Sequence, residues 1–218
     1  HALERSPLNP AQREQVALML KSGDSLMQLL NDVLDMSRIE TGRVELAPEA
    51  IDPRAIVADV VDAWRDAAVS KNLSLFADFS AETPDWILAD PLRIRQILTN
   101  LVSNAVKFTT QGHVRVGVDA ERAGDAWMLR FTVSDTGPGV PAAAADRVFD
   151  SFTQADETIS RRHGGAGLGL TISRALARQL GGDLELRPSQ VGACFVLSLR
   201  VEEAEAAAPA PELETQDD

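Results

Sequence analysis

The stretch "ISRRHGGAGLGLTISRAL", residues 159–176, decides how this chain of 218 residues is interpreted. Its four glycines precede an apolar pattern that predicts a helix beginning near residue 169. Glycine-rich turns that lead into a helix often hold phosphate, because free backbone N–H groups and the positive end of the helix dipole attract anions. A dinucleotide loop, an ATP loop and a simple flexible hinge are the three interpretations to separate.

The residues on either side of the glycines exclude two common phosphate-binding loops. A dinucleotide loop directly follows a β-strand, but residues 151–163, "SFTQADETISRRH", are polar and do not alternate. A P-loop requires G-K-[ST] after its glycines, and that pattern is missing. The stretch therefore predicts a different phosphate site, in which Gly165, Gly167 and Gly169 free the backbone N–H groups of a helix N-terminus.

A second candidate is the predicted helix "PLRIRQILTNLVSNAVKF", residues 91–108, which begins with the D-P pair typical of helix starts. Asn100, Asn104 and Lys107 form a polar stripe on this otherwise apolar helix. An amide oxygen can bind Mg²⁺ and a lysine can neutralise phosphate. An exposed helix face is the other interpretation of the same stripe.

A third candidate is "VSDTGPGV", residues 133–140, in which an apolar strand ends at Asp135. A carboxylate at a strand end can accept a hydrogen bond from an exocyclic amine of a base. Gly137 and Gly139 would let the backbone pass close to a ring. An ordinary Asp-Gly turn is the alternative.

The remaining pattern predicts three segments. Residues 1–47 contain one long helix with a heptad-like apolar seam at positions 16, 19, 23, 26, 30 and 33, where Gly23 fills one slot, and such a seam needs a partner helix. Residues 48–201 alternate helices and strands and predict an α+β domain, a two-layer sandwich with a mixed, mostly antiparallel sheet and helices on one face. Residues 202–218 are rich in Ala, Pro and Glu and predict a solvated linker or tail.

Composition and net charge limit the classes of binding partner and the cellular compartment that we expect. The net charge of −12, of which residues 201–218 supply −7, argues against general nucleic-acid binding. No apolar run approaches 18 residues, so we expect no membrane segment in this chain. The single cysteine, Cys194, cannot form an internal disulfide, and its apolar strand predicts a buried core thiol. We therefore expect a cytoplasmic location.

Taken together, "NLVSNAVKFT", "DTGPG", "VFDSFTQAD" and "GGAGLGLTISRAL" resemble, in order and spacing, the N, G1, F and G2 boxes of the sensor histidine kinase ATP-binding domain. That domain belongs to the superfamily of gyrase, Hsp90 and MutL, and the resemblance implies its Bergerat-type fold. It covers about residues 10–201. The segment "LLNDVLDMSRIETGRVEL" also resembles the second helix and exit of the kinase dimerisation hairpin.

The resemblance implies ATP and Mg²⁺ as cofactors and a role for each matching residue. Asn104 would hold the Mg²⁺ that bridges the phosphates, Lys107 would touch the phosphates, and Asn100 would help to shape the site. Phe108 would pack on the adenine, and Asp135 would bind its amino group.

The resemblance also implies a mobile lid over the nucleotide. Gly137 and Gly139 would line the base, and Phe149 and Phe152 would anchor the lid, which runs to about His163. The residues expected around the triphosphate are Arg161 or Arg162, Gly165, Gly167, Leu168 and Gly169.

The phospho-accepting histidine of the family has no clear counterpart here. "HALERSPLN" resembles the acceptor motif but carries one residue too many before the proline, and "SPLNPAQRE" matches the loop after the first hairpin helix. His1 is therefore expected to lie past the acceptor position. We expect His113 on the surface and His163 in a packing or exposed role. The acceptor is expected upstream of this chain.

The resemblance thus predicts a histidine kinase that dimerises through its bundle helix and transfers the ATP γ-phosphoryl to a histidine, for relay to a response regulator or an attached receiver domain. An ATPase or ATP-driven clamp of the same superfamily is one alternative. Those enzymes activate water with a glutamate where this chain has Asn100, which cannot act as a base. A catalytically silent nucleotide-binding platform is the other alternative.

Overall fold

The computed structural model describes residues 8–41, 45–150 and 167–205. The chain divides into two compact units, which are described one at a time. The first comprises His1–Glu45 and Val140–Leu176, and the second comprises Leu46–Gly139 and Ala177–Asp218.

The first unit contains the long helix α1, Pro10–Glu40. It begins with a capping box, in which the Asn9 side chain accepts from the Gln12 N–H at 2.9 Å and the Gln12 side chain accepts from the Asn9 N–H at 3.0 Å. It ends at Glu40, and Thr41 is its C-cap. The unit also contains α4, Ala142–Ala145, and most of α5, Gly169–Gln179.

One side of helix α1 carries large apolar side chains that are exposed. The large side chains exposed on it are Leu18, Met19, Leu26, Met27, Leu29, Leu30, Val33 and Leu34. Four of the predicted seam positions (19, 26, 30 and 33) are among them. None of the helices in the described part of the chain is both long and apolar enough to cross a membrane.

The described part of the second unit contains seven strands that form one sheet. They are β1 Glu49–Ile51, β2 Ser74–Phe79, β3 Ile87–Ala89, β4 His113–Ala123, β5 Ala126–Asp135, β6 Asp183–Arg187 and β7 Cys194–Glu203. Their order in the sheet is β1-β3-β7-β5-β4-β2, and β6 pairs with β7. Among these strands only β2 and β4 pair in parallel, so the predicted mixed, mostly antiparallel sheet is confirmed.

Two helices pack against this sheet, α2 (Pro53–Ser70) and α3 (Pro91–Phe108). Each begins at a D-P pair, where the aspartate side chain accepts a backbone N–H of the first turn. The sheet meets the core through alternate residues, since Leu129, Phe131 and Val133 of β5 are buried whereas the residues between them are partly exposed.

The expectation for Cys194 is wrong, because its side chain is only half-buried. In the sheet register it lies between Ser134 on β5 and Arg187 on β6, neither of which is buried. Its neighbour Phe195 occupies the core position instead. Burial raises the pKa of the Cys194 thiol, although Arg187 and Arg115 oppose this.

The sequence did not predict strand β1. It predicted only a domain boundary in this segment, which lies between Pro48 and Pro53. The strand contains three residues and pairs with β3 through Glu49↔Ala89 to Ile51↔Ile87. Three residues are too few for an alternating pattern to be recognised.

Candidate nucleotide-binding site

The carboxylate of Asp135 lies at the end of β5 and is partly buried. Its Oδ1 accepts the backbone N–H of Gly137 at 2.8 Å and that of Ala193 at 3.3 Å. Burial raises the pKa of Asp135, and these two hydrogen bonds oppose the rise. Among the described residues Oδ2 accepts no hydrogen bond, so one oxygen of an oriented carboxylate is available to a donor.

Two glycines allow the chain to pass closely around Asp135. Gly139 (φ 72°) and Gly192 (φ 68°) both adopt left-handed backbone angles. A Cβ on Gly139 would lie 2.8 Å from the carbonyl oxygen of Gly192, and a Cβ on Gly192 would lie 1.8 Å from that of Asp135. Gly139 was predicted, whereas Gly192 was not. Its position between two apolar strands was the only signal for it.

Gly137 is required for a different reason, because its φ is not left-handed. A Cβ there would lie 3.0 Å from Asp135 Oδ1, 3.1 Å from Thr109 Oγ1 and 3.3 Å from the carbonyl oxygen of Phe108. Three oxygen atoms therefore surround the space above Gly137, which lies between the ends of β5 and α3.

Thr109 was not among the predicted site residues. It caps the C-terminus of α3 and is fully buried, yet its hydroxyl has no hydrogen-bond partner in the described part of the chain. A buried hydroxyl left unpaired costs about 1–3 kcal/mol. Such a group next to Asp135 and Gly137 is a candidate to bind a ligand atom.

The predicted polar stripe lies on the last turns of α3. Asn100, Asn104 and Lys107 are all half-buried, and the side-chain amide of Asn104 makes no hydrogen bond to any residue that the structure describes. The Lys107 ammonium lies 4.9 Å from the ring centroid of Phe108, a cation–π contact. Burial lowers the pKa of Lys107. The Phe108 ring is 37% exposed, so an apolar face is available beside this cation.

In the first unit, Phe149 is tied to helix α5. The Thr171 hydroxyl donates to the carbonyl oxygen of Phe149 at 2.8 Å. The Arg174 guanidinium lies 4.7 Å from the Phe149 ring centroid. Phe149, predicted as a lid anchor, is thus held by the helix that follows the glycine-rich stretch.

The described glycines predicted to bind phosphate, Gly167 and Gly169, lie at the start of α5. Gly167 has φ 69°, and Leu168 precedes the first helical residue, Gly169. The Leu168 side chain is buried, and its carbonyl accepts the Ile172 N–H at 2.9 Å. The backbone N–H groups of the first helical turn have no carbonyl partner within the helix.

Several predicted residues lie outside the described residues, namely His1, Phe152, Arg161, Arg162, His163 and Gly165. His113 is described and is exposed at the start of β4, as predicted.

Other clusters of charge offer no comparable site. Asp119 and Glu121 line a surface cavity of about 440 Å³ with Trp127, but Arg130 already pairs with both carboxylates, at 3.3 and 2.7 Å. No group of three or more His, Cys, Asp or Glu within the described residues could hold a metal ion.

Comparison with known protein families identifies the family to which the chain belongs. A family model described as "Histidine kinase-, DNA gyrase B-, and HSP90-like ATPase" matches residues 89–203, which include α3, Asp135 and α5. A second family model, "His Kinase A (phospho-acceptor) domain", matches residues 1–42 and thus covers α1. The chain belongs to the sensor histidine kinases.

Relatives with this family name are similar over most of the chain. BarA, a signal transduction histidine-protein kinase of Escherichia coli, is 37% identical over 83% of the chain. The sensor histidine kinase GacS of Pseudomonas protegens is 40% identical over 84% of the chain. The chain spans only 20% of the length of either relative.

Solved structures of histidine kinases share the fold. Full-length ShkA in complex with AMPPNP has a TM-score of 0.76 and 36% identity, over 95% of this chain and 42% of that one. The Acinetobacter baumannii histidine kinase AdeS has a TM-score of 0.68 over 92% of this chain and 88% of that one, and its 22% identity supports the fold alone. The predicted Bergerat-type α/β fold is confirmed.

Proposed function

We propose that this chain is the ATP-binding catalytic part of a two-component sensor histidine kinase. It binds Mg-ATP and donates the γ-phosphoryl group to a histidine on a dimerisation helix, for relay to an aspartate of a response regulator or an attached receiver domain. The observation that carries the proposal is the Asp135 carboxylate, which is oriented by two backbone N–H groups and keeps Oδ2 available. The AMPPNP complex of ShkA supports ATP as the ligand.

The base is held where the ends of β5 and α3 lie side by side. The exocyclic amine of adenine donates to Asp135 Oδ2, and guanine presents a carbonyl at that position, which a carboxylate repels. The ring packs on Phe108, and Gly137 and Gly139 line it. The Thr109 hydroxyl, which has no partner among the described residues, lies next to the space above Gly137 that we propose for the base.

Residues on the last turns of α3 are suited to bind the phosphates. The free amide of Asn104 is a suitable ligand for Mg²⁺, which when bound neutralises charge on the phosphate oxygens. Burial lowers the pKa of Lys107. Its ammonium lies one turn after Asn104, where it can neutralise charge on phosphate. Gly167, Leu168 and Gly169 offer backbone N–H groups to the triphosphate.

Phosphoryl transfer needs positioning and charge neutralisation rather than a covalent contribution from this domain. A ring nitrogen of the acceptor histidine forms a bond to the γ-phosphorus as the bond to the β,γ-bridging oxygen breaks and ADP leaves. The ring proton passes to a base beside the acceptor. We place both the acceptor and that base upstream of this chain. Asn100 cannot activate water, so hydrolysis is slow.

The test combines binding with label transfer. The 218-residue chain is titrated with Mg-ATP and Mg-GTP by calorimetry, and we expect ATP to bind at least about tenfold more tightly, a difference of about 1.4 kcal/mol. Radiolabelled ATP is then given to this chain and to an N-terminally extended form that contains an acceptor hairpin. We expect acid-labile, alkali-stable label on the extended form alone.

Other outcomes identify the alternatives. ATP hydrolysis at tens of turnovers per minute would favour the ATPase or clamp. Tight ATP binding without any transfer to the extended form would favour the silent platform. Label on His1 of the short form would overturn the placement of the acceptor.

A further inference from the structure

Helix α2 ends in a rigid cap at Lys71. The Leu73 N–H bonds to the carbonyl oxygen of Ala68 at 3.0 Å, and the Asn72 N–H bonds to that of Val69 at 2.9 Å. These are the two hydrogen bonds of a Schellman motif, in which one residue adopts a left-handed conformation. Asn72 does so, with φ 56°, and Leu73 is buried behind it. The backbone of Lys71 is therefore closely constrained.

From this cap, the Lys71 side chain reaches the end of α3. Its Nζ donates to the carbonyl oxygen of Val106 at 2.7 Å and to that of Lys107 at 2.9 Å. The last carbonyls of a helix have no partners within the helix. A cation placed there also complements the negative end of the helix dipole. Lys71 thus satisfies two of these carbonyls with charge-assisted hydrogen bonds.

The two carbonyls belong to the turn that carries the proposed ligand-binding side chains. Asn104 and Lys107 lie on this turn, and Phe108 ends it. Thr109 follows immediately, and its N–H bonds to the carbonyl oxygen of Ala105 at 3.0 Å. A shift of the last turn would move the amide, the ammonium and the aromatic ring together.

We propose that Lys71 is a positioning residue for nucleotide binding. It does not touch the nucleotide, but it clamps the last turn of α3 so that Asn104, Lys107 and Phe108 are preorganised for it. This inference rests on the proposed function, because it assumes that these three side chains bind ATP. Preorganised groups lose less conformational freedom on binding. Removal of the Lys71 hydrogen bonds therefore weakens ATP affinity even in a variant that still folds.

The opposite end of α2 supplies a matched control. Arg54, in the first turn, also donates to backbone carbonyls of another segment, those of Thr83 and Pro84, and pairs with Asp85 at 3.0 Å. This contact ties α2 to the loop before β3 and includes none of the proposed nucleotide-binding residues. Arg54→Met therefore removes a similar clamp from the same helix without a predicted effect on ATP.

The experiment compares Lys71→Met, Lys71→Arg and Arg54→Met in the 218-residue chain. Affinity for Mg-ATP is measured by calorimetry at 10 °C, and melting is recorded in parallel to confirm that each variant is folded at that temperature. We expect Lys71→Met to weaken ATP about five- to tenfold, the equivalent of part of one charge-assisted hydrogen bond. Lys71→Arg should restore most of the affinity, because a guanidinium can also donate to two carbonyls. Arg54→Met should bind ATP as the unchanged chain does.

Hydrogen exchange of the free protein provides a readout that does not need ATP. We expect faster exchange of the amides at residues 106–109 in Lys71→Met and no change there in Arg54→Met. If folded Lys71→Met binds ATP within twofold of the unchanged chain, Lys71 is only structural. Equal losses in Lys71→Met and Arg54→Met would also overturn the proposal, since they would reflect general destabilisation. If the unchanged chain binds no ATP, the proposed function fails instead, and the exchange experiment still tests the clamp.

Discussion

At the scale of single residues, Asp135 combines a cost in stability with the role in binding that we propose for it. Its raised pKa means that the folded domain disfavours the charged carboxylate. In Asp135→Asn the amide oxygen can still accept the two backbone N–H groups, while its NH₂ would meet the adenine amine as a second donor. We expect the free domain to be as stable or more stable at pH 7, and ATP affinity to fall about 30- to 100-fold, or roughly 2–3 kcal/mol.

The pH dependence of stability checks the cause of this effect. A raised carboxyl pKa contributes stability that is present below the unfolded pKa and is lost as the pH rises through the folded pKa. The advantage of Asp135→Asn should therefore be greatest at pH 7 and shrink as the pH is lowered towards 4. Denaturation at both pH values measures it. A variant that is less stable than the unchanged domain at pH 7 would contradict the explanation.

Thr109 offers a second prediction at this scale. Thr109→Val removes the unpaired hydroxyl and keeps the shape, so we expect the free domain to gain about 1 kcal/mol. If the hydroxyl bonds to the base edge, ATP affinity should fall about tenfold, or about 1.4 kcal/mol, in the same variant. Thr109→Ser, which keeps the hydroxyl, is the control. A more stable Thr109→Val variant with undiminished ATP affinity would remove the residue from the site.

The sequence alone indicated Asp135, Asn104 and Lys107 because each is a polar residue within an apolar pattern. It did not indicate Thr109 or Gly192, because their importance depends on where other segments pass. The hydroxyl of Thr109 matters because Gly137 and Asp135 come close to it, and Gly192 is needed because its Cβ would meet the carbonyl of Asp135. Contacts between residues distant in the chain leave no local pattern.

At the scale of secondary-structure elements, the two glycines after α5, Gly181 and Gly182, are needed for different physical reasons. Both follow the end of the helix, where glycine is common. Gly181 has φ 79° and open space around its Cβ position, whereas a Cβ on Gly182 would lie 1.8 Å from the carbonyl oxygen of Ser198. Gly181→Ala should cost about 1 kcal/mol of backbone strain. Gly182→Ala must displace a strand of the sheet, so we expect about 3 kcal/mol, the upper end for overpacking.

Denaturant unfolding of the two alanine variants measures this difference. The prediction is that Gly182→Ala unfolds at clearly lower denaturant concentration than Gly181→Ala. Equal midpoints would mean that β7 yields easily at Ser198. The comparison needs no ligand and is independent of the proposed function.

Local signals explain which elements could be predicted. The D-P pair located the start of α3, since the capping aspartate acts within its own helix. The sequence did not reveal that Asp90 also accepts the N–H of Ala47 through its second oxygen, at 3.0 Å. The long strands followed from alternation, whereas β1 depends on β3 and has no signal of its own.

At the scale of the whole molecule, the exposed apolar side of α1 suggests that the protein acts as an assembly. The side chain of Leu26, for example, is 67% exposed on the predicted seam. Complete burial of a leucine contributes about 1.5–3 kcal/mol, so a row of such residues favours pairing with another helix. The match of residues 1–42 to the phospho-acceptor domain agrees with this, and we propose that the partner is a second copy of the chain.

Substitution of one seam residue tests this pairing. In a symmetric dimer Leu26→Glu removes two buried leucines and brings charge into the seam, so we expect the dimer dissociation constant to rise at least about 100-fold. Ala17→Glu adds the same charge on the opposite side of α1 and should leave the dimer intact. Sedimentation measures both. Because every residue proposed to bind ATP lies outside α1, Leu26→Glu should bind Mg-ATP as tightly as the unchanged chain, and a parallel loss of ATP affinity would show that nucleotide binding depends on the dimer.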